Sequence, residues 1–100
     1  MGQRIEIDDA RVVDSSLIVS TNRSLTGTDG EGYDAADDTT DVDTFGAKAS
    51  AELFSSDEGI SRIYVESNVL VITRSDGWDD ATAASAQKVI EDFFLFYPGA

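Results

Sequence analysis

Residues 69–94 read VLVITRSDGWDDATAASAQKVIEDFF: an apolar strand, an acidic turn and then a helix. The fold depends on how the middle is read, because Asp76-Gly77-Trp78-Asp79-Asp80 sets the chain's only Trp among three carboxylates. Those residues are either a site or a joint between two elements. Downstream, Ala86, Val89, Ile90, Phe93 and Tyr97 are spaced 3, 1, 3 and 4 apart and trace one helical face. Asp76-x-x-Asp79 and Asp79-x-x-Thr82 each place a short acceptor where it bonds the free N–H groups of a helix start, and carboxylates in a first turn complement the helix dipole. Gly77 supplies the sharp turn. Trp78, just before the helix, packs back on the core and fixes the entry angle, as a staple residue does. The reading is a joint.

Moving outward, Val69–Thr73 is the most apolar strand and is expected to be central in its sheet. It returns from Ile60–Val65 through a hairpin loop at Glu66-Ser67-Asn68. Before that, Phe45–Asp57 is helical, with Thr44 as its cap and Gly59 expected in the left-handed conformation after its end. Near the start, Arg4–Asp8 alternates with period two and extends through Val12-Val13 after an irregular step at Asp8-Asp9. Asp14-Ser15 turns the chain into a second strand, Ser16–Thr21, with Leu17 and Val19 on one face and Ile18 on the other. Between these halves, GTDGEGYDAADDTTDVDT (27–44) holds seven acids and three glycines and reads as a loop.

Twenty acidic residues stand against seven basic ones, a formal charge of −13, with only two lysines, Lys48 and Lys88. No basic footprint for nucleic acid is visible. An Asp-rich, Lys-poor balance of this kind is expected of a salt-accumulating cytoplasm, where salt shortens the range of self-repulsion. Acids within the first twenty residues argue against a secretory signal, and no apolar run is long enough to span a bilayer, so a cytoplasmic location is expected.

The chain has neither Cys nor His. That excludes Cys-ligated zinc and iron–sulfur sites from its own residues, and Ser-His-Asp or Cys-His catalysis. Ser85-Ala86-Gln87-Lys88 has the S-x-x-K form, but it falls inside a helix without partner motifs. The acids of the 28–43 loop fail the EF-hand template: counted from Asp29, position 5 is Tyr33, position 6 is Asp34 and position 12 is Thr40. Asp37/Asp38 and Asp79/Asp80 are carboxylate pairs, yet acid–base work needs a pocket that splits their pKa values. No catalytic residue, metal ligand or cofactor is therefore assigned.

Residues 49–94 resemble the N-terminal domain of Nfu/NifU-type iron–sulfur cluster scaffold proteins. The likeness rests on Leu53-Phe54 at the end of a short helix, the Gly59-Ile60 step, a second hairpin strand with Val71-Ile72-Thr73, and the Asp/Trp turn. Residues 18–27, IVSTNRSLTG, are similar to that family's second strand and following loop. The resemblance implies an accessory, partner-contacting module. The cluster-binding C-x-x-C domain of the family has no counterpart here, and the acidic loop and the absence of a proline opening the first helix depart from its pattern, so no functional residue is carried over.

The expected fold is one α+β domain over residues 1–100: ββαββα in two layers, a four-stranded, mainly antiparallel sheet with both helices on one face. Its core is expected to be Ile5, Ile7, Leu17, Val19, Leu53, Phe54, Ile63, Leu70, Ile72, Trp78, Val89, Ile90 and Phe93. The other sheet face would carry Arg62, Tyr64, Val69 and Val71, a composition suited to an interface centre or equally to a wet sheet surface. The expected function is a non-enzymatic protein-interaction domain linked to iron–sulfur cluster assembly, acting as a monomer or weak homodimer with a protein partner, and with neither nucleic acid nor membrane. The alternative is a divalent-cation-responsive module using the 29–43 loop.

Overall fold

Side chains that alternate in and out along the strands build one five-stranded sheet in the computed structural model, which describes residues 6–22, 30–40 and 44–96. The strands are β1 (Ile7–Val13), β2 (Ser16–Thr21), β3 (Glu31–Tyr33), β4 (Ile60–Glu66) and β5 (Val69–Arg74); the helices are α1 (Phe45–Ser56) and α2 (Asp80–Phe96), and a 3-10 turn covers Ala36–Thr39. Across the sheet the order is β1-β2-β5-β4-β3, and every neighbouring pair is antiparallel. Two tight hairpins fold β1 on β2 and β4 on β5, with Asp14 and Ser67 taking the left-handed conformation at their turns. The apolar β5 is the middle strand.

One face of the sheet makes the core. Leu17 and Val19 of β2, Ile63 and Val65 of β4, and Leu70 and Ile72 of β5 meet Ala49 and Leu53 of α1 and Ala86, Ile90 and Phe93 of α2 in a single cluster. Full burial of a Leu, Ile or Phe side chain stabilises by roughly 1.5–3 kcal/mol, and this layer holds most of the large side chains that are fully buried among the described residues. Phe45 closes the cluster edge-on to Phe93, with ring centres 6.1 Å apart at 80°. Ile7, Phe54, Trp78 and Val89 pack at its margin rather than its centre. Ile5 and Tyr97 lie outside the described residues. No helix among the described residues is long and apolar enough to cross a membrane.

Three expectations are corrected. The sheet has five strands, not four, because Glu31–Tyr33, inside the segment read as loop, pairs with Val65–Ile63 of β4. Three residues are too few to show a period, and their strand conformation comes from the open edge of β4 rather than from their own pattern. The element order is accordingly βββαββα. Gly59 is not left-handed, since the positive-φ glycines are Gly30 and Gly77. Its lack of a side chain serves packing instead: a Cβ there would lie 2.5 Å from the Arg74 guanidinium. The irregular step at Asp8-Asp9 is present as a β-bulge between Ile7 and Asp9.

Candidate interaction face and the joint behind it

The alternation that buries Leu17, Val19, Ile63, Leu70 and Ile72 turns the intervening residues to the opposite face of the sheet. Strand register aligns them in rows. Gly32 pairs with Tyr64, Tyr64 with Val71, Val71 with Ile18, and Ile18 with Arg11, so one row crosses all five strands. A second row joins Glu66, Val69, Ser20 and Asp9, and a third joins Arg62, Thr73, Ser16 and Val13. Arg62, Tyr64, Val69 and Val71 thus share this face, and none of them belongs to the core cluster. Ile18 joins them at the centre; its position opposite Leu17 and Val19 was the available signal.

Gly32 gives the face its flatness at one edge. A Cβ there would lie 2.6 Å from the Arg62 guanidinium and 3.5 Å from the Tyr64 ring, and one on Gly30 would collide with the Tyr64 hydroxyl. The Tyr64 and Arg62 side chains therefore lie down over the β3 backbone, covering edge glycines as aromatic residues do in other sheets. Around the apolar centre the charges are tied locally. Tyr64 Oη donates to Glu66 Oε1 at 2.9 Å, which raises the pKa of the phenol. Arg62 pairs with Asp34, and Arg11 with Asp9 at 2.9 Å. Ser16 and Thr73 hydroxyls share a hydrogen bond of 3.1 Å.

The Asp/Trp turn is built as a joint. Trp78 Nε1 donates to the Ser15 carbonyl at 3.0 Å and the Ile72 carbonyl at 3.2 Å, linking the β1–β2 turn, β5 and the start of α2. Arg74 completes it: Nε and Nη2 donate to the two Asp57 oxygens at 2.9 and 3.3 Å, and Nη1 donates to the Gly77 carbonyl at 2.6 Å. Its guanidinium carbon sits 5.6 Å from the centre of the Trp78 ring. The Asp57 bond raises the Arg74 pKa further, so the group stays charged. Asp57 itself ends α1, with its N–H on the Leu53 carbonyl and its carboxylate taking the Gly59 N–H at 2.8 Å. Asp79 and Thr82 cap α2 reciprocally, Thr82 N–H to Asp79 Oδ1 at 2.8 Å and Asp79 N–H to Thr82 Oγ1 at 2.9 Å. That N–H bond holds the Asp79 carboxyl below its usual range. Arg74 and Asp57 carry no periodic or motif signal, and sequence reasoning missed them.

The described part of the acidic segment is structured by its own acids. Glu31 Oε1 accepts from Tyr33 Oη and from Thr44 Oγ1, both at 2.8 Å, and Thr44 Oγ1 takes the Ala47 N–H that opens α1. Burial, reinforced by the Glu31 bond, pushes the Tyr33 phenol up to about 12. Asp38 accepts the Asp34 N–H at 3.0 Å. Among the described residues no three carboxylates gather as a metal-holding group; Asp29, Asp41 and Asp43 lie outside them. Ser85 and Lys88 of the S-x-x-K form line a shallow groove with Glu52, Val89 and Asp92, where Lys88 donates to Asp92 at 2.9 Å.

With this geometry in hand, a scan against protein-family models gives no match, and no curated protein matches. A crystal structure of protein SAV1430 from Staphylococcus aureus, from a structural genomics consortium, is similar in fold. The TM-score is 0.65 over 86% of this chain and 99% of that one, at 13% identity. The likeness is one of fold alone.

Proposed function

We propose that this domain is a non-enzymatic protein-interaction module of iron–sulfur cluster assembly in a salt-rich cytoplasm, and that its open sheet face is the contact. The observation that carries the reading is the apolar row Ile18–Val71–Tyr64 at the middle of a face that the helices leave uncovered, with the Arg11–Asp9 and Arg62–Asp34 pairs and Glu66 around it. An apolar centre with a charged rim is the anatomy of a specific interface, and the centre supplies the affinity while the rim sets orientation. The rim holds both signs of charge, Arg11 and Arg62 beside Asp9, Asp34 and Glu66, so the partner chemistry is an apolar patch whose own rim answers each sign in register. The assembly role rests on the resemblance of residues 49–94 to the scaffold-protein domain. The absence of Cys and His directs the role toward contact rather than cluster ligation.

The test is capture from cell extract at native KCl by the immobilised domain, alongside Ile18→Thr and Val71→Thr, which keep β-branched shape while adding a hydroxyl. The expected result is recovery of a cysteine desulfurase or another cluster-assembly component by the parent domain and its loss with both variants, each still folded by circular dichroism. Recovery of no such component sinks the assembly role. Equal recovery by both variants moves the contact off this face.

A further inference from the structure

The sheet ends on one side at β1, and its outer edge has no strand beside it among the described residues. Hydrogen-bond parity shows which groups that edge offers. Asn22 N–H bonds to the Glu6 carbonyl, while Thr21 N–H bonds to the Asn68 carbonyl. Even-numbered residues of β2 therefore face β1 and odd-numbered ones face β5. Asp9, Arg11 and Val13, the register partners of Ser20, Ile18 and Ser16, spend their main-chain groups on β2. The N–H and C=O of Ala10 and Val12 point outward. Val12 and Val13, 48% and 47% exposed, are the large hydrophobics most open to water at this edge. Such an edge is a template for another strand.

We infer that a second copy of this chain adds to this edge, β1 against β1 and antiparallel about a two-fold axis at Ala10, and that salt switches the pairing on. The charges select that register. Residues opposed across an antiparallel pair lie on one face of the sheet, so a self-paired strand must be centred on a residue, and slips move the centre residue by residue. Centring on Ala10 sets Asp9 opposite Arg11 of the second copy, twice, and makes Ala10 exchange both its free main-chain bonds with its own mate. Centring on Asp9 or Arg11 sets like charges face to face, and centring on Val12 leaves both charges without an opposite. Within one chain Arg11 already reaches Asp9 along the strand at 2.9 Å, with the side chains 66% and 53% exposed. Pairing closes the two such pairs into a four-charge ring of alternating sign. The bulge at Asp8 limits the ladder to a short one, so the contact is weak. Two chains of charge −13 repel over about 10 Å at 0.1 M salt but only about 3 Å at 1 M, which confines the dimer to concentrated salt.

Sedimentation of the full chain up to millimolar concentration, in about 0.1 M and about 2 M KCl, tests this. A dimer is expected at the higher salt, with dissociation at least about tenfold easier at the lower. Asp9→Arg and Arg11→Asp separate register from bulk charge. The first moves the net charge two units toward zero and the second two units away, so simple repulsion has the first tighten the dimer. The register has both loosen it by about tenfold, and has an equal mixture of the two variants pair again as a heterodimer. Circular dichroism confirms that each variant is folded, and slowed exchange of the Ala10 amide in the dimer marks the strand. A parent chain that stays monomeric at millimolar concentration in high salt overturns the inference. So does an Asp9→Arg variant that dimerises as well as the parent, or a mixture that stays unpaired.

Discussion

Tyr33 attaches the acidic segment to the fold. It is 4% exposed, and its hydroxyl shares the Glu31 carboxylate with the Thr44 cap of α1. An aromatic ring buried beside a carboxylate resists ionisation, because the phenolate would be both desolvated and adjacent to negative charge. The consequence has a definite sign. An unfolded tyrosine ionises near 10, and Tyr33 in the fold near about 12. Between those values the unfolded chain binds fewer protons, so stability present below pH 10 falls as pH rises toward about 12. A phenolate absorbance titration should resolve one tyrosine that ionises near about 12, and Tyr33→Phe should remove that step along with its share of alkaline destabilisation. If every tyrosine ionises together near about 10, the buried network is absent. Tyr33 was read as part of a loop since nothing within 27–44 signals burial; its environment is supplied by β4 and α1, remote in sequence.

At the scale of elements, α2 and β5 were legible because their periods are long enough to count. The helical spacing from Ala86 to Phe93 and the reciprocal Asp79/Thr82 cap lie within one stretch of chain. What holds them together was only half legible. Trp78 announced itself as the lone indole ahead of a helix, but its two carbonyl partners, Ser15 and Ile72, come from different strands. Arg74 reaches back 17 residues to Asp57, a pairing that no local spacing encodes. Their side chains are 15% and 18% exposed, so the pair is far better shielded than a surface ion pair. Trp78→Phe keeps an aromatic ring but loses the indole N–H and part of the ring volume; the Ser15 carbonyl keeps only the Arg74 N–H at 3.0 Å, and the change should cost about 1–3 kcal/mol in chemical denaturation. A cost near zero would mean that water replaces the indole at this joint and that the ring alone sets the helix angle.

For the whole molecule, the balance of charge matters more than any one pair. The described residues place Asp9, Asp34, Asp57 and Asp92 against the basic side chains Arg11, Arg62, Arg74 and Lys88, while the sequence holds twenty acids and seven bases. Most carboxylates therefore have no cation of their own, and the folded state gathers them closer than the unfolded chain does. Screening relieves that cost. The melting temperature should climb steeply from dilute buffer to molar KCl, and NaCl at equal ionic strength should act similarly if screening is the cause. A flat response in both salts removes the salt-adapted reading.

The sequence by itself determined the α+β class, the central place of Val69–Thr73, the inward residues of β2, β4 and β5, and the joint at Trp78. These follow from periodicity and capping, which act over a few residues and are written in their order. Only the tertiary structure decided that Glu31–Tyr33 is a strand, that Arg74 closes on Asp57, and that Ile18, Val71 and Tyr64 stand in one row. Each depends on a neighbour brought close by folding: an open edge for β3, a half-buried carboxylate for Arg74, and a strand register for the row. A free N–H at a sheet edge donates to whatever carbonyl the fold delivers to it, and that delivery is a property of three dimensions.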